Sequence, residues 1–472
     1  METFTKIVTA VDDFAWGPII LVLLVGTGVY LSTRVGWIQF RKFGYAMRNT
    51  LGKIFHKEKA GEGEVTPFQA MTTALAGTVG TGNIAGVTGA IFIGGPGAVF
   101  WLWVSALVGM VTKYSEVLLS VRFRERNEAG DWVGGPMYSI KNGLGKNWMW
   151  LAFVFSFFGM IASFGIGNTT QVDSIATAID TAVISFGGTE TGNTFRIFIG
   201  LIIAIVVAFI ILGGIKRIGA VTEKLVPFMA VVYIIAALIV VLANLSQFGI
   251  VIKAIFEGAF NPRAIAGGAL GVGIMTTIQK GIARGVFSNE AGLGSAPIAH
   301  AATSLSDPVK QGLYGIFEVF MDSIVICTLT ALALLLGLCS QVGIDGIEWG
   351  IGHGSEMVVS AFNSVFDGKI SSLIIAIGLS LFALSTILSW SLYGARCCEF
   401  LFGKRAKVAT IVYKIAFCVV LVIGSTLGLD LVWTIGDALN GLMAIPNLVA
   451  LLLLSGVVIK MTKEHFSKKN LQ

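Results

Sequence analysis

The feature that most constrains this chain is its succession of long apolar runs. Ile197–Leu212 and Val231–Ala243 each pass without a charged residue. Backbone polar groups inside lipid must be hydrogen-bonded within the spanning structure, which leaves α-helices or closed β-barrels. Barrel strands alternate apolar and polar residues with period two, whereas these runs are continuous. Only 13% of the 472 residues are charged and 55% are hydrophobic. A typical soluble domain carries about 25% charged residues, so this chain has too few to cover a water-exposed surface of its size. It reads as an all-α polytopic membrane protein.

About 20 predominantly apolar residues cross a bilayer as a helix. That criterion predicts eleven transmembrane helices, near 16–33, 67–93, 97–121, 148–183, 196–213, 218–244, 263–287, 309–337, 370–394, 407–427 and 430–460. Lys and Arg concentrate in alternate loops. One set holds Arg34, Arg41, Lys42, Arg122, Arg124, Lys216, Arg217, Arg396, Lys404 and Lys460 among others, while the opposite set holds little beyond Lys6, Arg196, Lys253, Arg263 and Lys369. Basic loops are cytoplasmic, so the N-terminus is expected outside and the C-terminus in the cytoplasm of a cell-membrane protein. The alternation stays in phase through every span, which supports the count.

Other classes fall away. The net charge of +6 resides in those loops and implies no nucleic-acid partner. The cysteines, Cys327, Cys339, Cys397, Cys398 and Cys418, are odd in number and lie mostly in or beside apolar runs; they read as packing residues. Four scattered histidines, His56, His300, His353 and His465, argue against zinc or haem. No Ser/His constellation or metal spacing suggests an enzyme, and no cofactor is expected. The opening METFTKIVTAVDD has one lysine and three acids, unlike the basic start of a cleaved signal peptide, so the first run reads as a retained span. The loops hold no soluble domain and imply no protein partner.

The most informative segment runs Ala74-Leu-Ala-Gly-Thr-Val-Gly-Thr-Gly-Asn-Ile-Ala-Gly-Val87. Gly77, Gly80, Gly82 and Gly86 crowd the middle of a span, and each costs a helix about 1 kcal/mol relative to Ala. Non-helical backbone survives at membrane depth only where protein encloses it or it lines a cavity. A helix starting near Asn83 offers free N–H groups and a positive dipole end to a carboxylate. A helix ending near Ala76–Val79 offers carbonyls to a cation. Small residues for close helix packing are the plainer explanation, but packing does not call for the polar side chains of Thr78, Thr81 and Asn83. An inverted repeat requires a second broken span five spans later. Ala266-Gly-Gly-Ala-Leu-Gly-Val-Gly-Ile-Met-Thr-Thr277 occupies that position. The expected organisation is an extra span and basic segment (1–66), a first repeat of five spans (67–245), a second repeat of five (246–460) and a cytoplasmic tail (461–472).

Gly77-Thr-Val-Gly-Thr-Gly-Asn83, together with Arg284-Gly-Val-Phe-Ser-Asn-Glu-Ala-Gly-Leu-Gly-Ser-Ala-Pro297, resembles the bacterial and archaeal alanine/glycine:cation symporters over nearly the whole chain. The first break also resembles that of the neurotransmitter:sodium symporters, with their five-plus-five inverted-repeat fold. The resemblance implies a sodium-coupled importer of alanine and glycine.

A zwitterion needs anion donors, acceptors for its ammonium and a shaped apolar wall. The backbone N–H groups of Thr81, Gly82 and Asn83 are the candidate donors. Carbonyls around Gly271–Met275 and the Thr386 hydroxyl are the candidate acceptors. By resemblance, the span Phe382-Ala-Leu-Ser-Thr-Ile-Leu-Ser-Trp390 supplies Thr386 and Trp390, four apart on one helix face. The Trp390 indole would leave room only for a small side chain; a membrane-interface role is its plainer alternative. Resemblance also puts Gln171 and Ile175 at the substrate, with helix-to-helix hydrogen bonding the alternative for Gln171. It assigns sodium to the carbonyls of Ala76, Val79 and Phe382 and the hydroxyls of Ser385 and Thr386, with a second ion near Thr78 and Asn83 a further option. Glu318 and Asp322, four apart in one span, keep proton coupling open. Arg284 and Glu290 could form a gating ion pair, or Glu290 could cap a loop. A proton-coupled or broader small neutral amino-acid carrier is the runner-up. A channel would conduct without saturating.

Overall fold

The computed structural model describes residues 2–53, 60, 61, 63–261, 273–349, 354–426 and 430–469. Among the described residues, helices lie in each of the eleven expected segments. In chain order the principal ones are α1 (Glu2–Ala15), α2 (Pro18–Arg34), α3 (Pro67–Thr78), α4 (Ala85–Gly94), α5 (Ala98–Arg122), α6 (Met149–Phe164), α7 (Thr170–Ser185), α8 (Asn193–Ile211), α9 (Gly214–Ala243) and α10 (Phe248–Phe260). They continue with α11 (Ile274–Asn289), α12 (Pro308–Val319), α13 (Thr328–Val342), α14 (Gly368–Phe402), α15 (Ala406–Gly424), α16 (Asp430–Leu453) and α17 (Ser455–Lys469). Among the described residues, eight helical runs are long and apolar enough to cross a membrane, or nine when the bent pair α3–α4 is taken as one span. One of those runs, Gly368–Gly424, holds both α14 and α15.

The exterior is apolar, and a group of polar side chains is gathered inside the bundle. Leu212 at the end of α8, Phe228 on α9 and Val408 on α15 are exposed, as expected of helices that meet lipid. Thr73, Thr78, Asn83, Ser385, Thr386 and Ser389 on α3, α14 and the turn between α3 and α4 are buried. Polar groups withdrawn from water must find partners, and that requirement locks the inner helices together.

α5 and α14 are the central struts. α5 is packed by α2, α11 and α12, and α14 by α3, α6, α7 and α15. Two apolar clusters fill the interior. One gathers Tyr114, Leu313 and Trp390, and the other Tyr233, Leu334 and Phe382. α14 contributes to both, so residues midway along it lie at the seam between the two halves of the core. α3 approaches α14 at this seam.

Local sequence sets the entry and exit of α3. Thr66 accepts a hydrogen bond from the Gln69 N–H at 3.1 Å, and the Gln69 carboxamide accepts from the Thr66 N–H at 3.2 Å, with Pro67 at the first helical position. This reciprocal cap is worth about 1 kcal/mol. The helix stops at Val79, which is extended. A short 3-10 turn (Thr81–Asn83) and α4 follow, and the axis bends by 57° across the break.

Candidate functional site

The break between α3 and α4 is buried throughout: Thr78, Val79, Thr81 and Asn83 are all nearly inaccessible. Its carbonyls face α14. Ser385 Oγ lies 2.8 Å from the Phe382 carbonyl, 3.3 Å from that of Ala76 and 3.4 Å from that of Val79. Thr386 Oγ1 lies 3.1 Å from the carbonyls of both Ala76 and Phe382. Two hydroxyl protons therefore serve five short oxygen–oxygen approaches. Acceptors outnumber donors in this cluster, and a hard cation satisfies surplus oxygen lone pairs without needing a carboxylate. The expected oxygen set of Ala76, Val79, Phe382, Ser385 and Thr386 comes together in one place. One turn further along α14, Ser389 donates to the Thr73 carbonyl at 2.5 Å.

Gly80 makes this approach possible. Its backbone is extended, with φ −136°, so conformation does not demand glycine there. Space does: a Cβ would run into the Thr386 hydroxyl. The candidate substrate residues gather on the other side of the break. Thr81 Oγ1 donates to Gln171 Oε1 at 3.1 Å, and Gln171 Nε2 donates to the Ile166 carbonyl at 2.8 Å. That carbonyl lies in a π-helical turn, Gly165–Thr169, that interrupts the α6–α7 run, and it also accepts from Thr170 Oγ1 at 2.8 Å. Ile175 is buried one turn beyond Gln171. Trp390 is buried, not interfacial, and meets Tyr393 edge-on with ring centroids 5.6 Å apart. Its packing requires Gly167, whose Cβ would collide with the indole stem.

The structure corrects one of the expected assignments. The Asn83 N–H is not a free anion donor, because it closes the 3-10 turn on the Gly80 carbonyl at 3.2 Å. The N–H groups of Thr81 and Gly82 have no acceptor among the described residues. Met275 is 58% exposed in the first turn of α11. The expected second break falls mostly outside the described residues. Of the expected segment 266–277, residues 266–272 lie outside the described residues, and Ile274–Thr277 is helical. Irregular buried backbone falls just after α11, where Glu290 is left-handed with φ 54°, and Gly292 and Gly294 have φ 97° and 82°. The alternating Ala-Gly-Leu-Gly pattern at 291–294 was the signal for it, since glycine enters that region at no steric cost.

Asp322 plays a larger part than its spacing suggested. It lies in a π-helical segment, Phe320–Cys327, between α12 and α13, and such segments recur at functional sites. It accepts from Asn83 Nδ2 at 2.6 Å and Ser288 Oγ at 3.0 Å through one oxygen, and from Ser323 Oγ at 2.7 Å through the other. Asn83 Oδ1 in turn accepts the Gly80 N–H at 2.8 Å. One carboxylate thus ties the first break to α11. With its amide oxygen so engaged, Asn83 offers little to a second ion near Thr78, whose own hydroxyl donates to the Leu75 carbonyl. Glu318 is in a separate network with His300 at 3.0 Å and Lys113 at 3.6 Å. Glu290 does not pair with Arg284; it accepts from Ser295 Oγ at 2.6 Å and so caps its loop.

A helix broken at a buried, oxygen-rich seam inside a bundle with an apolar exterior is the architecture of a secondary transporter. The chain belongs to the sodium:alanine symporter family, whose model matches residues 1–472, and it is a membrane transporter, not an enzyme. It is 44% identical to the sodium/alanine symporter AgcS of Methanococcus maripaludis over 98% of this chain and 97% of that protein. It is 37% identical to the amino-acid carrier protein AlsT of Bacillus subtilis over 99% of this chain and 94% of that protein. Its fold is similar to that of MhsT, in a crystal structure with L-phenylalanine, with a TM-score of 0.59 at 15% identity over 85% of this chain and 99% of that one.

Proposed function

We propose that the chain is a sodium-coupled symporter that imports alanine and glycine by alternating access. The observation that carries this reading is the oxygen cluster shared by the α3–α4 break and α14. Sodium placed among the carbonyls of Ala76, Val79 and Phe382 and the hydroxyls of Ser385 and Thr386 would join the break to α14. Fixing Val79 and Gly80 also fixes the following turn, which aims the N–H groups of Thr81 and Gly82 at a carboxylate. Gln171 Oε1 and the Thr386 hydroxyl are acceptors for the ammonium, while Ile175 and Trp390 limit the side chain. The coupling is reciprocal: sodium raises alanine affinity by the factor that alanine raises sodium affinity.

The protein is read as eleven spans: one extra N-terminal span within 1–66, five spans in 67–245 and an inverted five in 246–460. The N-terminus is outside, and the tail 461–472 is cytoplasmic. The alternation of basic loops supports this arrangement. Alternating access then consists of the two irregular helices and their partners rocking against the remaining spans. The AgcS name and the family description support sodium and alanine as the transported pair.

Replacing sodium by potassium in proteoliposomes should collapse alanine uptake. Uptake that persists in potassium and follows a pH gradient would favour the second reading, a proton-coupled carrier, for which the buried Asp322 carboxyl hydrogen-bonded to Asn83 is the relevant observation. Selectivity has its own test. Trp390→Ala should admit valine or leucine as competitors of alanine uptake, because it removes the largest fully buried side chain in the structure. An unchanged competition profile would remove Trp390 from the pocket.

A further inference from the structure

We propose that the pocket between the end of α2 and α17 binds one phospholipid with a net-negative phosphodiester headgroup, of the phosphatidylglycerol type. The pocket has a volume of about 460 Å³. Arg34, Arg41 and Lys42 line it on one side, and Lys463, Phe466 and Ser467 of α17 on the other. No Asp or Glu lines it among the described residues. The inference goes beyond transport and holds whichever ion drives it.

The four cations are not neutralised from within. The ion pairs of α17 are made by other residues, Lys460 with Glu464 at 4.0 Å and His465 with Asp307 at 3.3 Å. Arg34, Arg41, Lys42 and Lys463 make no ion pair among the described residues. A larger charged cavity, of about 860 Å³, is built differently. There Arg396 is held by Asp131 and Glu399 at 2.9 and 2.6 Å, and Lys141 by Glu125 at 2.6 Å. That cavity carries its own counter-charges, whereas the α2–α17 pocket takes one from outside. Like charges around one space repel, and an anion among them removes the repulsion. A phosphodiester brings one negative charge and two terminal oxygens, which guanidinium forks bind in parallel. Basic pockets between spanning helices hold anionic headgroups by this chemistry.

Local sequence builds the pocket. α2 ends in a tight reversal: the Trp37 N–H donates to the Ser32 carbonyl at 2.7 Å and the Gly36 N–H to the Thr33 carbonyl at 3.3 Å. Gly36 has φ 74° and Trp37 φ 53°, the left-handed exit that glycine allows after a helix. The chain then enters a short helix, Ile38–Arg41, so that Arg34 and Arg41 line the same space. Arg41 Nη1 donates to the Gly36 carbonyl at 3.2 Å, and Lys42 Nζ lies 5.2 Å from the centre of the Phe466 ring. These contacts hold two of the cations at the wall. The surroundings select a lipid over a soluble anion. Trp37 and Phe40 are 38% and 52% exposed and stack 6.0 Å apart, as aromatic side chains do at a membrane interface. Along α2, Val22, Gly26 and Val29 form an exposed stripe at helical spacing that leads to Thr33 at the pocket. An acyl chain on that stripe places its phosphate at the level of Arg34.

The test uses the purified full chain in a neutral detergent and follows its thermal midpoint as dioctanoyl phosphatidylglycerol is added. Wild type should show a saturable rise that dioctanoyl phosphatidylcholine and glycerol phosphate do not reproduce. Arg34→Gln and Lys463→Gln change exposed residues. Each should raise the half-saturating concentration about fivefold, and the pair together about 25-fold, from roughly 1 kcal/mol per cation near a lipid surface. Lys404→Gln alters an exposed cation between α14 and α15 and should leave the titration as in wild type. Each half-saturating concentration is read from that variant's own lipid-free midpoint, so a change in stability alone does not mimic weakened binding. The absence of a saturable rise in wild type overturns the site. An equal shift in Lys404→Gln also overturns it, in favour of diffuse attraction to a basic face. A rise of the same size with phosphatidylcholine overturns the headgroup assignment, and one with glycerol phosphate overturns the lipid in favour of a soluble anion. No transport is measured, so each of these outcomes leaves the symporter reading standing.

Discussion

Gly80→Ala should leave sodium-stimulated alanine uptake only at sodium concentrations about 100-fold higher than wild type needs. The added methyl occupies the position of the Thr386 hydroxyl, and neither neighbour can yield easily. Gly80 is held by the Asn83 side chain through its N–H, and Thr386 is midway along the 35-residue α14. Overpacking a core costs about 1–3 kcal/mol. Pushing Thr386 away also removes an oxygen from the cation cluster, a loss on the order of 1.5–3 kcal/mol. A fall of about 100-fold in sodium affinity is expected, read as the sodium concentration for half-maximal uptake, with protein amount and thermal midpoint measured beside it. Gly249→Ala is the matched control, since a Cβ there meets nothing within 4 Å. Gly80→Ala with the sodium response of wild type would dissociate the break from coupling.

Asp322→Ala is the second large effect, and it acts through structure and affinity together. Its carboxylate is the acceptor for Asn83, Ser288 and Ser323. Removing it strands buried donors, each at a cost of about 1–3 kcal/mol. Asn83 then loses the anchor that lets its oxygen hold the Gly80 N–H. A lowered thermal midpoint is expected together with a rise of at least about tenfold in the alanine concentration for half-maximal uptake. Asp322→Asn separates the two readings of coupling. It keeps the volume and removes the ionisable group, so sodium-driven uptake should persist at reduced affinity, whereas a proton-coupled carrier would lose its pH-gradient response. An Asp322→Ala protein with wild-type stability and affinity would show that this network does not support the break.

The membrane class, the helical segments and the first break were legible because each depends on a local quantity. Apolar transfer energy accumulates along a run of residues, and four glycines with Thr and Asn side chains mark a weak point in a helix wherever it packs. The irregular segment at 290–294 was not singled out because glycine clusters at both 266–273 and 291–294. Where the latter is irregular, left-handed backbone at Glu290, Gly292 and Gly294 lets the chain turn inside the bundle. Asn83 was half-read: its position in the break was plain, but its N–H is consumed by its own turn and its side chain faces Asp322, which is 239 residues away.

From its residues alone, then, this chain is committed to crossing a membrane many times and to interrupting one crossing near Gly80. Which oxygens meet at that interruption was settled only by the rotation and crossing of α3 against α14, supported by α7 and α9 around them. Hydroxyls at Ser385, Thr386 and Ser389 follow one face of a helix in any fold. Their distances to Ala76, Val79 and Thr73 depend on how every neighbouring side chain fills space, because an ion or hydrogen-bond partner is lost over about an ångström, and no local pattern encodes a position that finely.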